Sequence, residues 1–174
     1  VKHLFFLTAL AASSSIARPI YIGTGADGIF LAHFDSETDV LTEPALAAKY
    51  EAPGFLALHP VKPVLHCVGG GNTFSIAEDH SLTLLGSAPS GGKGPCHLAI
   101  DASGRTLAVA NYGGGSFATI RLDADGKPGE IISLEKPTGS GSNKNRQEAA
   151  HAHGVYFDKA SRSSSRQTSA STKY

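Results

Sequence analysis

Two imidazoles stand two positions apart in His151-Ala152-His153. On an extended strand, residues i and i+2 point to the same side, so both rings would share one face. A His-X-His pair of this kind can hold zinc. No third ligand is evident in the sequence, so no metal is expected. The alternative for each ring is a hydrogen-bonded structural residue without chemistry. Arg146, in the polar stretch just upstream, has the charge to contact an anionic substrate; it also fits a solvated loop arginine. Asn111 and Tyr112 end an apolar run and precede Gly113-Gly114-Gly115. Their alternative is turn chemistry, because asparagine tolerates unusual backbone angles beside glycine. The runs Gly69 to Gly71 and Gly113 to Gly115 are not phosphate loops, since neither leads into Lys-Ser/Thr and a helix.

The elements that carry these residues repeat. Pro53-Gly54-Phe55-Leu56-Ala57-Leu58 opens one unit and Pro95-Cys96-His97-Leu98-Ala99-Ile100 opens another, 42 positions later. Each opening leads to an apolar run (Val64 to Val68, Leu107 to Ala110), then three glycines, an alternating run (Thr73 to Ala77, Ser116 to Leu122) and a last apolar strand (Leu82 to Leu85, Ile131 to Leu134). Four short strands per unit at a period of about 40–45 residues describe a β-propeller blade. The fold class is therefore all-β, a partial propeller of about three blades. Ile20 to Gly23, Gly28 to Phe34 and a weaker Leu41 to Ala48 form a first unit without an opening strand. His151 to Asp158 begins a fourth unit, and the pattern then stops. In this frame His97, Asn111 and Tyr112 are candidates to line the central channel; for His97, core or turn packing is the other reading. The glycines of Gly113 to Gly115 belong where two backbones approach closely or the chain bends. Thr138 to Ala150 reads as a long polar insertion on one face of the propeller.

The 174 residues carry no net formal charge, which argues against electrostatic nucleic-acid binding. Lys2 and His3, the apolar stretch Leu4 to Ala12 and the small residues through Ala17 fit a secretory signal over residues 1–17. The stretch is too short for a stable bilayer span, so no stable membrane insertion is expected. A signal implies a periplasmic or secreted protein; without it the protein would be cytoplasmic. Cys67 and Cys96 sit in or beside core strands, either as buried free thiols or, after export, as a pair. Residues 161–172 hold six serines and no Leu, Ile, Val or Phe, the composition of a solvated tail.

Tyr21-Ile22-Gly23-Thr24, Gly94-Pro95-Cys96-His97-Leu98, Val109 to Ser116 and Arg146-Gln147-Glu148 followed by His151-Ala152-His153 resemble the lactonase seven-bladed propellers of the bacterial 6-phosphogluconolactonase type, relatives of carboxymuconate-lactonising enzymes. The resemblance runs from about Ile20 to Asp158, so residues 18–158 are expected to be part of a seven-bladed parent and residues 159–174 a non-homologous tail. Written with GC-rich codons and shifted by one nucleotide, residues 164–174 read as the family's pattern, which makes a frameshifted or truncated chain an expectation. The resemblance implies hydrolysis of a sugar lactone by activated water, with a small-molecule sugar lactone as partner and no cofactor. Catalysis falls to His153, as base or orienting group. His151, Arg146, Asn111, Tyr112 and His97 are the candidate substrate contacts. The family's remaining catalytic arginines and glutamate belong to later blades. Two further readings stand beside this one, an exported non-catalytic binding module and a fragment without function. The sequence does not set the oligomeric state.

Overall fold

The computed structural model describes residues 17–158 apart from 70 and 144. The signal expected at 1–17 and the tail expected at 159–174 lie outside the described residues, Ala17 excepted. The described residues contain strands and turns and no helix. The first sheet holds β1 (Arg18–Gly23), β2 (Asp27–Asp35), β3 (Val40–Leu41) and β4 (Ala45–Glu51). The second holds β5 (Leu56–Leu58), β6 (Val64–Cys67), β7 (Asn72–Ile76) and β8 (Leu82–Ser87), in that order. The third runs β9 (Pro95–Ile100), β10 (Thr106–Asn111), β11 (Ser116–Leu122) and β12 (Pro128–Glu135). All pairings are antiparallel, as hairpin connections require. These are the three expected blades.

The single strand expected over Leu41 to Ala48 is instead two. Both β3 and β4 lie along the same side of β2, and Thr42 to Pro44 separates them. Pro44 has no N–H to offer a ladder. Thr42 ends β3 by bonding His33 twice: its amide donates to the carbonyl at 2.9 Å, and its hydroxyl accepts the His33 amide at 2.9 Å. The first blade is consequently three strands wide. Among the described residues it has no counterpart of the innermost strand that β5 and β9 supply to the others.

The middle strands show why blades stack. Every residue of β6 is buried. Leu65 and Cys67 pack with Ile29 and Phe74 toward the first blade, whereas Val68 just beyond packs with Leu98, Leu107 and Val109 of the third. In β10, Leu107 and Val109 face the second blade, while Ala108 and Ala110 face Phe117, Ala152 and Val155. Side chains alternate across a strand, so a strand covered on both faces reads as an unbroken apolar run. Each fully buried Leu, Val or Ile contributes about 1.5–3 kcal/mol.

Two turns lock the second and third blades together. Asp101 organises the turn from β9 to β10: its carboxylate accepts the amides of Thr106 (2.7 Å), Arg105 (2.8 Å) and Ser103 (3.2 Å) and the Ser103 hydroxyl. Gly104 takes φ 70° there, and His59 from the β5–β6 turn donates from Nε2 to its carbonyl at 2.9 Å. His59 Nδ1 accepts the Val61 amide, so both ring nitrogens are engaged. A side chain on Gly104 would strike that ring.

Candidate functional site

After β12 the chain crosses an exposed polar loop and returns to the third blade at Ala150. The return passes over Gly115, where φ is 63° and a Cβ would lie 2.2 Å from the Ala150 carbonyl oxygen. Only a glycine allows that approach, which accounts for the end of the Gly113 to Gly115 run. The chain then runs from His151 to Tyr156 without regular secondary structure, outside the three sheets, with an isolated bridge at Phe157. Ala152 and Val155 are buried against Ala108, Ala110 and Phe117. The Cys96 thiol faces the carbonyls of Ala110, Ala152 and His153 at 3.5–3.7 Å.

This return brings His151 and His153 to one tyrosine. The His151 ring stacks on Tyr112 with centroids 4.6 Å apart and planes 17° apart. The His153 ring meets Tyr112 edge-on at 5.4 Å and 89°. The shared face expected for the two histidines is therefore observed, although no regular strand carries them. Their chemical freedom differs. His151 has both nitrogens engaged, Nδ1 with the Tyr112 carbonyl at 3.2 Å and Nε2 with Glu148 Oε1 at 3.0 Å. A hydrogen bond from its own backbone, then the charges of His151 and Arg146, hold the Glu148 carboxyl below the usual range. His153 is exposed, and among the described residues neither of its ring nitrogens has a hydrogen-bond partner.

His97 lies beside this pair. Its Nδ1 accepts the Val155 amide at 3.4 Å. Its ring sits 4.1 Å from Phe55 and 4.9 Å from Tyr156. Burial, and then the neighbouring charge of His153, lower the His97 pKa. Phe55, His97 and Tyr156 thus form a row across the innermost segments of successive blades. Phe55 and His97 occupy the same place in their repeats, 42 positions apart. The corresponding residue of the next unit is Gly154, and the Tyr156 ring lies over it, 3.3 Å from where a Cβ would stand.

The remaining candidates sit elsewhere. Asn111 is fully buried. Its Nδ2 donates to the Ser90 carbonyl at 3.0 Å and to Ser116 Oγ at 3.2 Å, and it packs on Gly92. It closes the junction between the second and third blades, which is the turn-chemistry reading. Arg146 is exposed in the loop, with its amide bonded to the Asn143 carbonyl. Sequence reasoning gave no role to Glu148, Phe55, Tyr156 or Cys96. The 42-residue repeat carried the signal for Phe55. The others depend on how the chain returns after a long loop.

Cys67 and Cys96 are both free thiols. Burial pushes the Cys67 pKa up to about 11 and raises that of Cys96. No group of three or more metal-ligating side chains occurs among the described residues. The arrangement can accept a proton at His153, orient that ring through Tyr112, and present an aromatic wall to a ring-shaped ligand.

Residues 19–163 match the model of the lactonase family, a seven-bladed β-propeller. A 6-phosphogluconolactonase of Bacillus subtilis is 31% identical over 148 residues, covering 79% of this chain and 42% of that relative. A 6-phosphogluconolactonase of Formosa agariphila is 40% identical over 76 residues, 44% of this chain and 22% of the relative. Among solved structures, a candidate 6-phosphogluconolactonase of Bacteroides fragilis superposes with a TM-score of 0.76 at 24% identity, over 86% of this chain and 44% of that one. The chain therefore spans less than half the length of these relatives. Three blades of the expected topology, the His151–His153 return and the match over residues 19–163 lead to one assignment: the chain belongs to the lactonase family of seven-bladed β-propellers.

Proposed function

We propose that this chain carries the first three blades of a sugar lactonase of the 6-phosphogluconolactonase type, with His153 as its general base. The observation behind this reading is the contrast between the two histidines. His151 is tied at both nitrogens, whereas His153 is exposed and held by ring contact alone. In the reaction, His153 removes a proton from water as its oxygen adds to the lactone carbonyl. The ring C–O bond then breaks, and the departing oxygen takes a proton to give the hydroxy acid. A positioned base of this kind contributes about 10²–10⁴-fold. By the family resemblance, oxyanion donors and a phosphate clamp come from blades beyond these three. The N-terminal segment supports a periplasmic or secreted location, which favours an unphosphorylated sugar lactone over a phosphorylated one.

The test compares the 174-residue chain with its His153→Ala and His151→Ala variants on 6-phosphogluconolactone and gluconolactone. Hydrolysis above background that His153→Ala removes at unchanged melting temperature supports the reading. His151→Ala should lower the melting temperature as well as the rate. Hydrolysis indifferent to His153 rejects it as the base. A second reading is an exported, non-catalytic binding module. The aromatic row Phe55, His97 and Tyr156 favours it, because such a wall binds a ring without requiring a base. It predicts saturable lactone binding without turnover, weakened by Tyr156→Ala. Absence of both binding and turnover would reject both readings for these three blades on their own.

A further inference from the structure

The backbone brings residues 96 and 97 against residues 153 to 155. The Val155 amide donates to His97 Nδ1 at 3.4 Å, and the Cys96 thiol faces the His153 carbonyl at 3.7 Å. Two imidazoles therefore belong to one place, and they are held in different ways. An amide N–H can only donate, so His97 Nδ1 is the unprotonated nitrogen and the ring proton stands on Nε2. Phe55 and Tyr156 hold that ring by contact, with centroids at 4.1 and 4.9 Å. Among the described residues Nε2 has no hydrogen-bond partner, yet it is not one of the buried unpartnered atoms. Its N–H is open to a ligand.

Burial, then the charge of His153, lower the His97 pKa, so the ring is neutral at pH 7. A neutral imidazole keeps its remaining proton and acts as a hydrogen-bond donor at Nε2. His153 is exposed, with neither ring nitrogen bonded among the described residues. Neighbouring titratable groups in such different environments divide the work of a reaction between them.

We propose that His97 is a second catalytic residue of this site, its Nε2–H donating to the carbonyl oxygen of a sugar lactone while His153 handles the proton. The proposal rests on the lactonase reading. As the water oxygen bonds the carbonyl carbon, a water O–H bond breaks and its proton passes to His153. The carbonyl π pair moves onto oxygen, where the His97 N–H meets the new negative charge. When the carbonyl re-forms, the ring C–O bond breaks. Its electron pair leaves on the ring oxygen, which takes the proton back from His153. His97 keeps its own proton throughout. It adds to the oxyanion donors that the resemblance assigns to later blades.

Nitrogen NMR of the imidazole rings tests this on the 174-residue chain at pH 7, with His97 assigned by the signals that His97→Gln removes. The expected state is neutral, protonated at Nε2. A proton on Nδ1, or an imidazolium, overturns the proposal. Gluconolactam, the unreactive lactam analogue of gluconolactone, is then titrated in. The His97 Nε2 signal should shift and saturate. A response at His153 alone overturns the role of His97 and leaves the lactonase reading standing; no response at either ring overturns both. In the gluconolactone assay His97→Phe keeps an aromatic ring and loses the donor. It should lower kcat by about 10²–10³-fold with KM little changed. His97→Gln restores an N–H near the same position and should recover part of the rate. A raised KM at unchanged kcat would reduce His97 to a binding wall and overturn the proposal.

Discussion

Gly115→Ala tests how the candidate site is held. The native φ of 63° lies in the left-handed region, which costs a non-glycine residue about 1–2 kcal/mol. The new Cβ would also fall 2.2 Å from the Ala150 carbonyl oxygen, so that backbone must retreat by about 0.8 Å to reach even a tight contact. Retreat lifts the segment that buries Ala152 and Val155 against Ala108, Ala110 and Phe117. Full burial of Val155 is worth about 1.5–3 kcal/mol. Losing half of it brings the total to about 2–3.5 kcal/mol, a melting temperature lower by roughly 4–14 °C for a chain of this size. Cys96 supplies a local readout, because its thiol lies under the Ala152 and His153 carbonyls. Its reaction with an aromatic disulfide reagent should accelerate. Gly113→Ala is the control. Its φ is not left-handed, and the tightest contact of a Cβ there is the Lys93 carbonyl oxygen at 3.3 Å. It should cost under about 1 kcal/mol. Equal losses for the two variants, or a Gly115→Ala melting temperature equal to the parent's, would refute the reasoning.

His66 should make the fold acid-sensitive. It is buried with Nδ1 bonded to Thr73 Oγ1 at 2.9 Å and Nε2 unpartnered among the described residues. Burial and then the charge of His59 lower its pKa to about 4. Between pH 6.5 and 4 the unfolded chain takes up a proton that the folded chain refuses, so stability falls by about 3 kcal/mol across that window and levels off below it. Urea midpoints measured from pH 7 to 4 should show this slope, and His66→Leu should remove it. Asp101→Ala should destabilise by about 1–2 kcal/mol, because three turn amides, that of Thr106 half-buried and those of Ser103 and Arg105 exposed, lose a charged acceptor; equilibrium unfolding at pH 7 checks it. In the native chain Cys67 should resist thiol reagents at pH 8 and react fully only in denaturant, since burial holds its pKa near 11. Rapid native labelling of Cys67 would contradict the packing of the second blade on the first.

Much of the architecture was written in local pattern. The 42-residue offset between Pro53 and Pro95, the apolar runs and the glycine turns define blades, because strand alternation and turn geometry are short-range properties of the chain. The same logic found that the first unit opens without the strand that begins the next two, and none stands there among the described residues. It also isolated His151 and His153 as a pair. Local pattern did not reveal that Thr42 and Pro44 split the third strand of the first blade, since that depends on which partner hydroxyl replaces a ladder bond. Nor did it separate the two histidines. Glu148 and the Tyr112 carbonyl engage one imidazole, and the other is left exposed, only because a long loop returns over Gly115 to the third blade. For Asn111 the sequence left channel lining and turn chemistry both open, and packing against Ser90 and Ser116 decided for the second. Sequence periodicity set the number of blades and most of their strands. The tertiary structure decided which side chains remain free to do chemistry, because burial and hydrogen bonding depend on contacts between blades that are far apart in the chain.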